Sequence, residues 1–344
     1  MKLLITGAAG FIGAHLMYEL AKRGDDVIGI DNLSDYYDIR LKLARLARCG
    51  FTDTKPFNAG SMCTSEIFPN CRYQKVDIAD KVSLYRLFHD GKFDKVVHLA
   101  AQAGSRYSIV NPDSYVRNNL LGFLNILEAC RNYSVKHLIY ASASSVYGNV
   151  SNNDITDNQK EDRIDKPVSL HASIKKSNEL MAYSYCKLFG ISMTGLRYFT
   201  IYGPYGRPDM SPMIFAKAIT EDQPIKVFNN GQLKRDFTYI DDAIDTTIKA
   251  IDNEPTPNDE GIRYRIYDIA SGAQTNLLDF IEELEQSFNK KAEKAFLPMQ
   301  QGDFAQISPD LTQLEKELGY KSNTTIKKGV KSFVEWYKTY NNSI

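Results

Sequence analysis

The sequence predicts an α/β fold, a doubly wound parallel sheet with a smaller C-terminal α/β domain. Short apolar runs alternate with stretches of helical periodicity through the first two hundred residues, and a glycine-rich turn follows the first run. Parallel strands need a crossover between them, so this alternation is typical of a parallel sheet with helices on both faces. After Tyr198 the alternation ends, and we expect the smaller domain to begin in the stretch that contains Pro204, Pro208, Pro212 and Pro224.

Each element is predicted from its own apolar spacing. The predicted strands are Lys2–Thr6, Val27–Asp31, Tyr73–Asp77, Lys95–Ala100, His137–Ser142 and Ser192–Tyr198. The predicted helices include Phe11–Arg23, Val82–Phe88, Leu120–Cys130, Leu277–Phe288 and Ile326–Tyr340. The polar residues 51–71 predict a surface insertion, and residues 149–167 predict a loop near the site. We predict a first domain from 1–198 with about 237–272, and a second from 199–236 and 273–344.

Charge and composition argue against several classes of partner. The 344 residues include 42 Lys and Arg against 42 Asp and Glu, so the net charge is zero and no nucleic-acid partner is expected. No apolar run approaches the roughly 20 residues of a membrane span. The first strand is predicted to begin at Lys2, so we expect no signal peptide. Five scattered cysteines without a CxxC pair predict reduced thiols, no metal site and a cytoplasmic location.

A glycine-rich loop after the first strand predicts a dinucleotide site. Its sequence, TGAAGFIG at 6–13, has GxxGxxG spacing and leads directly into a helix. Backbone N–H groups in such a turn and the positive end of the helix bind pyrophosphate. Asp31 ends the next strand, where a carboxylate binds ribose hydroxyls and repels a 2′-phosphate, so we predict NAD rather than NADP. The candidate cofactor residues here are Gly7, Gly10, Phe11, Ile12, Gly13, Asp31 and Asn32.

Two further segments, together with Tyr198, are consistent with the same pocket. Asp77 and Ile78 end the third predicted strand, where a carboxylate can meet the adenine amino group. The fourth strand ends at 99–102, where small side chains permit close approach of the backbone, and Tyr198 ends the sixth strand. Each stretch alone is equally well explained by packing. The additional cofactor candidates are Asp77, Ile78, Leu99, Ala100, Ala101, Gln102 and Tyr198.

Motifs along the chain resemble those of the extended short-chain dehydrogenase/reductases. The loop at 6–13, HLAAQAG at 98–104 and SVYG at 145–148 carry this resemblance. The segments DNLSDYYD at 31–38, YGPYGRPDM at 202–210 and RDFTYIDD at 235–242 are similar to the UDP-glucuronate 4-epimerase branch of the nucleotide-sugar epimerases. The resemblance covers essentially the whole chain apart from residues 51–71.

The resemblance implies that C4 of a UDP-sugar loses a hydride to a retained NAD. The 4-keto intermediate then turns in the pocket, and the hydride returns to its other face. In the family, a Tyr-x-x-x-Lys pair moves the proton with help from a Ser or Thr. The Lys lowers the pKa of the phenol and holds the nicotinamide ribose, so Lys175 is a candidate for both catalysis and cofactor binding.

This chain departs from the family at both proton-handling positions. His171 stands in place of the tyrosine, and Ala143 in place of the Ser or Thr. Histidine could serve as the base, since its ordinary pKa of about 6.5 suits proton transfer, although its shorter ring then requires a shifted substrate or a bridging water. Alternatively, turnover is weak or lost while binding is kept, or His171 is only a hydrogen-bonded residue.

Neighbouring residues favour epimerisation over the sister reactions. The related dehydratases carry Asp-Glu after the Ser or Thr, and the decarboxylases carry Glu before Val-Tyr-Gly. Ser144 and Ser145 stand at these places, and packing explains them as well as sugar contact does. A binding protein without turnover and a generic NAD-dependent reductase are the alternatives. The reductase is disfavoured by the UDP-pocket motifs in the C-terminal half.

The substrate residues are implied by the resemblance. Arg235 and Arg207 are candidates for the diphosphate, although a surface ion pair would also explain Arg207. Asp303 falls where the family binds the uridine ribose, and Phe228 is either a uracil contact or a core aromatic. Arg106 and Asn119 are candidates at the sugar end, and Thr200 is a further substrate candidate. The resemblance also implies a homodimer through helices around Tyr115–Cys130 and Ser177–Phe189.

Overall fold

A computed structural model describes residues 1–54, 57, 60–148, 167–299 and 307–341. The strands are β1 Lys2–Thr6, β2 Asp26–Asp31, β3 Cys63–Thr64, β4 Cys71–Lys75, β5 Lys95–His98, β6 His137–Ala143, β7 Ser192–Tyr198, β8 Thr200–Tyr202, β9 Ile225–Val227, β10 Lys234–Tyr239, β11 Tyr264–Ile269, β12 Gln274–Asn276 and β13 Lys294–Phe296.

The helices are α1 Phe11–Arg23, α2 Ile39–Arg48, α3 Lys81–Gly91, α4 Tyr107–Val110, α5 Pro112–Tyr115, α6 Gly122–Asn132, α7 Leu170–Phe189, α8 Ser211–Thr220, α9 Ile240–Asp252, α10 Leu277–Phe288, α11 Thr312–Leu318 and α12 Ile326–Asn341. A π-helical segment, Val116–Leu121, joins α5 to α6, and 3₁₀ turns form at Ser144–Tyr147 and Phe228–Gly231. Among the described helices, none is long and apolar enough to cross a bilayer.

The main sheet has eight strands in the order β11-β7-β6-β5-β1-β2-β4-β3, and only the edge strand β3 runs antiparallel to its neighbour. From β1 the chain builds outwards through β2 to β4, and it then returns to build the other half from β5. Sheets of this type open a ligand crevice at the carboxyl ends of the strands where the order reverses. Here that crevice lies between β1 and β5.

Alternating side chains of β1 explain why helices cover both faces of the sheet. Leu3 and Ile5 belong to an apolar cluster with α1 and α9, whereas Leu4 belongs to a second cluster with α3, α6 and α7. Successive side chains of a strand point to opposite faces, so a strand that is apolar throughout must be covered twice. The smaller sheets, β12-β10-β8 and β13-β9, lie against the first of these clusters through Phe237 and Val227.

The predicted elements agree with the structure, with four corrections. The third predicted strand is β4, which ends at Lys75, so the prediction that it ends at Asp77 and Ile78 is wrong. The fourth predicted strand, Lys95–Ala100, is β5 and ends at His98. The segment 51–71 is not wholly a surface insertion, since β3 pairs with β4 and Phe51 is buried. The helix predicted from Leu120 begins inside the π-helical segment. The predicted loop at 149–167 lies outside the described residues except for Pro167. The division into two domains stays a prediction. β11, which comes from the segment 237–272 assigned to the first domain, pairs with β7 of that domain.

Candidate cofactor and active site

A cavity of about 380 Å³ opens at the carboxyl ends of the central strands. The structure brings most of the predicted site residues into its wall. The predicted residues that line it are Gly7, Gly10, Phe11, Ile12, Gly13, Asp31, Asn32, Ile78, Leu99, Ala100, Ala101, Gln102, Ala143, Ser144, Ser145, His171, Lys175, Tyr198, Thr200 and Arg207. One cavity therefore joins the dinucleotide loop to the residues at the Tyr-x-x-x-Lys positions.

The glycine loop has the close packing that a pyrophosphate cradle requires. Gly7 adopts φ +74°, and a Cβ atom there would lie 2.8 Å from the backbone nitrogen of Ala100. A Cβ atom on Gly13 would lie 2.1 Å from the carbonyl oxygen of Gly7. Gly10 caps α1 without a side-chain hydrogen bond, and the first turn of α1 carries no acidic residue. The positive end of this helix is therefore available to an anion, and the residues fit a dinucleotide.

The Asp31 carboxylate is buried at the end of β2 and is held in place by three donors. The backbone N–H groups of Leu33 and Ala9 donate to it at 2.8 and 3.3 Å, and Lys42 Nζ lies 3.4 Å away. Lys42 also donates to the Ser34 hydroxyl at 3.1 Å. A carboxylate fixed in this way is preorganised to accept hydrogen bonds from ribose hydroxyls.

Two predicted residues near the adenine end have other roles in the structure. Asp77 does not line the cavity: it accepts a hydrogen bond from the backbone of Ala79 and pairs with Arg117 at 3.0 Å. This follows from the early end of β4, which leaves Asp77 in a turn. Asn119 is buried outside the cavity wall and exchanges two hydrogen bonds with the backbone of Gln102, at 2.7 and 2.9 Å. It therefore orients the segment that lines the cavity.

His171 and Lys175 lie one turn apart on α7. Ser169 caps the start of this helix, where its hydroxyl accepts a hydrogen bond from the backbone N–H of Ala172 at 3.2 Å. Lys175 Nζ donates to the carbonyl oxygen of Ala141 at 2.6 Å, and burial lowers the pKa of Lys175 to about 8 although Glu179 opposes the shift. Burial, together with the charges of Lys175 and Arg207, lowers the pKa of His171 to about 3. His171 is therefore a neutral imidazole at neutral pH.

Two polar atoms in this corner of the cavity are buried without a hydrogen-bond partner among the described residues. They are Nδ1 of His171 and the hydroxyl of Ser145. Buried polar atoms are normally satisfied, so an orphaned pair in a cavity wall indicates a site that a ligand completes. The methyl group of Ala143 lines the same corner and offers no hydrogen bond.

A buried polar network supports the helix that carries His171 and Lys175. Glu179 accepts two hydrogen bonds from Arg197, both at 2.8 Å, and one from the Ser142 hydroxyl at 2.6 Å. Arg197 also donates to the Tyr147 hydroxyl at 2.8 Å, which in turn donates to Asp268. Burial raises the pKa of Asp268 to about 6. The network ties α7 to β6, β7 and β11.

The predicted substrate residues divide into two groups. Arg207 lines the cavity and is held by Asp209 through hydrogen bonds of 3.0 and 2.6 Å. Arg106, Phe228 and Arg235 lie outside the cavity wall, and the Arg106 guanidinium lies over the ring of Phe228 at 5.6 Å. Asp303 lies outside the described residues.

The sequence-based predictions do not include several residues that shape the site. Lys42 and Arg45 are on α2, and the side chains of both are buried. Lys42 and Arg45 follow the Asp31 motif and are three residues apart, which puts them on one face of a helix. This spacing is the sequence signal from which their role in the site could have been predicted. The Ser142, Glu179 and Arg197 network offers no such signal, because its members come from three separate elements.

Comparison with known proteins places these features in a family context. The NAD dependent epimerase/dehydratase family matches residues 3–270. The chain is 41% identical to protein CapI of Staphylococcus aureus over 99% of both chains, and 39% identical to UDP-glucuronate 4-epimerase 4 of Arabidopsis thaliana over 98% of this chain and 75% of that one. The crystal structure of the Bacillus cereus UDP-glucuronic acid 4-epimerase with UDP-glucuronic acid and NAD matches with a TM-score of 0.85 and 32% identity, over 99% of this chain and 100% of that one. The predicted doubly wound α/β fold, which is of the Rossmann type, and the predicted cofactor, NAD, are confirmed.

Proposed function

Because the chain belongs to the NAD-dependent epimerase/dehydratase family, among the extended short-chain nucleotide-sugar epimerases, we propose that it interconverts UDP-glucuronate and UDP-galacturonate through a 4-keto intermediate. One observation carries the proposal. A single cavity joins the dinucleotide loop to Lys175, His171 and Arg207, as a site requires if a nicotinamide is to meet a sugar nucleotide. The choice of a uronic acid is supported by the likeness to UDP-glucuronate 4-epimerases.

Acceptance and return of a hydride at C4 is the chemistry that bound NAD supplies. The glycine loop and the N-terminus of α1 bind the pyrophosphate, and Asp31 binds the adenosine ribose. Lys175, fixed by the Ala141 carbonyl, holds the ribose at the nicotinamide end. Arg207, fixed by Asp209, provides positive charge for the diphosphate.

Among the described residues, we assign His171 and Ser145 to the sugar hydroxyls. Each offers a buried polar atom that has no partner among the described residues. The neutral imidazole of His171 donates or accepts one hydrogen bond at Nδ1, depending on its tautomer. Ser144 and Ser145 replace the acids of the dehydratases and decarboxylases, which favours simple return of the hydride.

Proton transfer limits turnover in this proposal. A base whose pKa is near 3 is poorly matched to removing a hydroxyl proton at pH 7, because efficient general bases have pKa values near the working pH. Ala143 slows proton transfer further, because its methyl side chain cannot hydrogen-bond the sugar hydroxyl. We therefore propose binding of both ligands with slow epimerisation.

The shared cavity also favours a second candidate function, a protein that binds NAD and a UDP-sugar without turnover. The two candidates share every binding residue and differ only in whether C4 is oxidised. Product analysis distinguishes them, because a slow epimerase converts UDP-glucuronate into UDP-galacturonate. A binding protein forms no UDP-galacturonate at any time.

Competition binding tests the substrate assignment. NAD-loaded protein is titrated with UDP-glucuronate and, in parallel, with UDP-glucose, and calorimetry gives both dissociation constants. Tighter binding of UDP-glucuronate is the expected result, and tighter binding of UDP-glucose would overturn the uronic-acid assignment. UDP alone serves as the control that separates the contribution of the sugar from that of the nucleotide.

We also propose a homodimer and a cytoplasmic location. Along α6, α7 and the π-helical segment, large apolar side chains are between 36% and 72% exposed, at Leu121, Leu124, Leu180, Leu188 and Phe189. An exposed apolar face on neighbouring helices supports association of two copies. All five cysteines are free thiols, which supports a reducing compartment. Sedimentation that gives only monomers would refute the dimer.

A further inference from the structure

The buried guanidinium of Arg45 joins two loops that come from distant parts of the chain. Arg45 is on α2 and is 1% exposed. Its Nη1 donates to the carbonyl oxygen of Ala9 at 3.1 Å and to the Tyr37 hydroxyl. Its Nε and Nη2 both donate to the carbonyl oxygen of Tyr205, at 3.0 and 2.8 Å, and Nη2 also contacts the Gly206 carbonyl at 3.4 Å.

The first of these loops is the pyrophosphate cradle. Ala9 lies between Gly7 and Gly10, and its N–H group donates to the Asp31 carboxylate at 3.3 Å. One residue of the cofactor loop, Ala9, is therefore held at its N–H by the Asp31 carboxylate and at its carbonyl oxygen by Arg45.

The second loop carries Arg207 and is held in an unfavourable backbone conformation. Tyr205 adopts φ +61°, in the left-handed region of backbone conformation that residues other than glycine rarely occupy. Its ring packs against Trp336 at 5.0 Å, and the Arg48 guanidinium lies 5.7 Å above the same ring. Strained positions of this kind persist only where their surroundings hold them, and Arg45 holds the carbonyl while the aromatic residues hold the ring.

We propose that Arg45 is a positioning residue that couples the occupancy of the NAD loop to the affinity of the Arg207 loop for the sugar nucleotide. The inference rests on the proposed function, which supplies the second ligand. The carbonyl oxygens that accept hydrogen bonds from Arg45 belong to the two ligand-binding loops. A rearrangement of one loop therefore changes which N–H groups of Arg45 remain available to the other loop. The coupling makes the NAD-loaded protein the form that binds UDP-glucuronate tightly.

Double-ligand titration tests the coupling. The dissociation constant of UDP-glucuronate is measured with NAD-free and NAD-loaded protein, for the wild type, Arg45→Met and Arg45→Lys. We expect NAD to tighten binding by about tenfold in the wild type, in the range of known coupling between sites. The factor falls several-fold in Arg45→Met, where only direct contact between the two ligands couples their binding, and it is intermediate in Arg45→Lys, which keeps the charge but not the fork of donors. Arg45→Lys also covers the case in which Arg45→Met does not fold.

Arg48→Met is the matched control. It is on the same helix and removes a cation from the same Tyr205 ring, but it leaves every hydrogen bond of Arg45 intact. We expect the tenfold factor to survive in this variant. An equal loss in both variants would assign the effect to packing on the ring and overturn the role of Arg45.

Fluorescence separates this inference from the proposed function. Trp336 is the single tryptophan of the chain and contacts Tyr205, so its emission reports the Arg207 loop with NAD as the only ligand. We expect NAD to change this emission in the wild type and not in Arg45→Met. If the wild type does not bind UDP-glucuronate, the proposed function fails and this comparison decides the role of Arg45. An unchanged wild-type emission, an equal change in both proteins, or binding of both ligands without coupling would overturn the coupling.

Discussion

Replacing His171 by tyrosine is expected to increase the rate of C4 epimerisation. A histidine that takes up a proton becomes a cation, whereas a tyrosine that acts as a base starts as an anion. Lys175 and Arg207 both lower the pKa of His171, and the same two positive charges would stabilise a phenolate at this position. The electrostatic environment of the site thus opposes the base that is present and favours the one that is absent.

The magnitude follows from the pKa of His171. Its fall from 6.5 to about 3 corresponds to about 5 kcal/mol against protonation, at roughly 1.4 kcal/mol for each pKa unit. A well-placed general base contributes about 10²–10⁴ in rate. We expect a gain near the lower end, about 100-fold in kcat, because burial also opposes a phenolate and Ala143 still lacks a hydroxyl.

Chromatographic separation of UDP-glucuronate and UDP-galacturonate measures the rate, with NAD content checked in each preparation. His171→Phe is the matched control, since it has the ring of tyrosine without the hydroxyl and should give no gain. The reasoning is refuted if His171→Tyr binds both ligands and is no faster than the wild type. It is equally refuted if wild-type turnover is fast and disappears in His171→Phe.

The remaining predictions concern neighbouring groups and stability. Adding Ala143→Ser to His171→Tyr should increase kcat about fivefold further, from one net hydrogen bond of about 1 kcal/mol; no gain in the double variant would exclude that position from proton transfer. Asp31→Ser should strengthen NADP binding at least about tenfold, measured by calorimetry, because Lys42 remains to pair with a 2′-phosphate; the gain should vanish when Lys42→Met is added. Burial lowers the pKa values of His15, His98, His137 and His171 to about 3, so between pH 6.5 and 3 the unfolded chain binds more protons and the free energy of unfolding falls as the pH falls. His171→Gln should reduce that slope by about 1.4 kcal/mol per pH unit in urea titrations, and an unchanged slope would contradict the burial of a neutral His171.

Much of the fold and of the cofactor end of the site could be predicted from the sequence. The strands Lys2–Thr6 and Ser192–Tyr198 and the helices Phe11–Arg23 and Leu277–Phe288 have the predicted bounds. Their apolar spacing is local, and it survives in the fold because each element buries a continuous face. The glycine loop and Asp31 were predictable for the same reason, since strand, turn and helix follow one another in the chain.

The rest depends on contacts between distant residues. Arg45 reaches Tyr205, 160 positions away, and a basic residue on an amphipathic helix is ordinarily solvated. Asp77 was misjudged because the third strand ends two residues early, and the turn that follows directs the carboxylate to Arg117. The low pKa of His171 results from burial beside two cations, one of which comes from another part of the chain.

Interconversion measured from both directions tests the central claim most directly. NAD-loaded protein, at a concentration near that of the ligand, is incubated with UDP-glucuronate in one series and with UDP-galacturonate in the other. We predict slow conversion that reaches the same mixture of the two sugars from either side. Binding of both UDP-sugars with no conversion from either side would contradict the claim of epimerisation and leave the binding protein as the function.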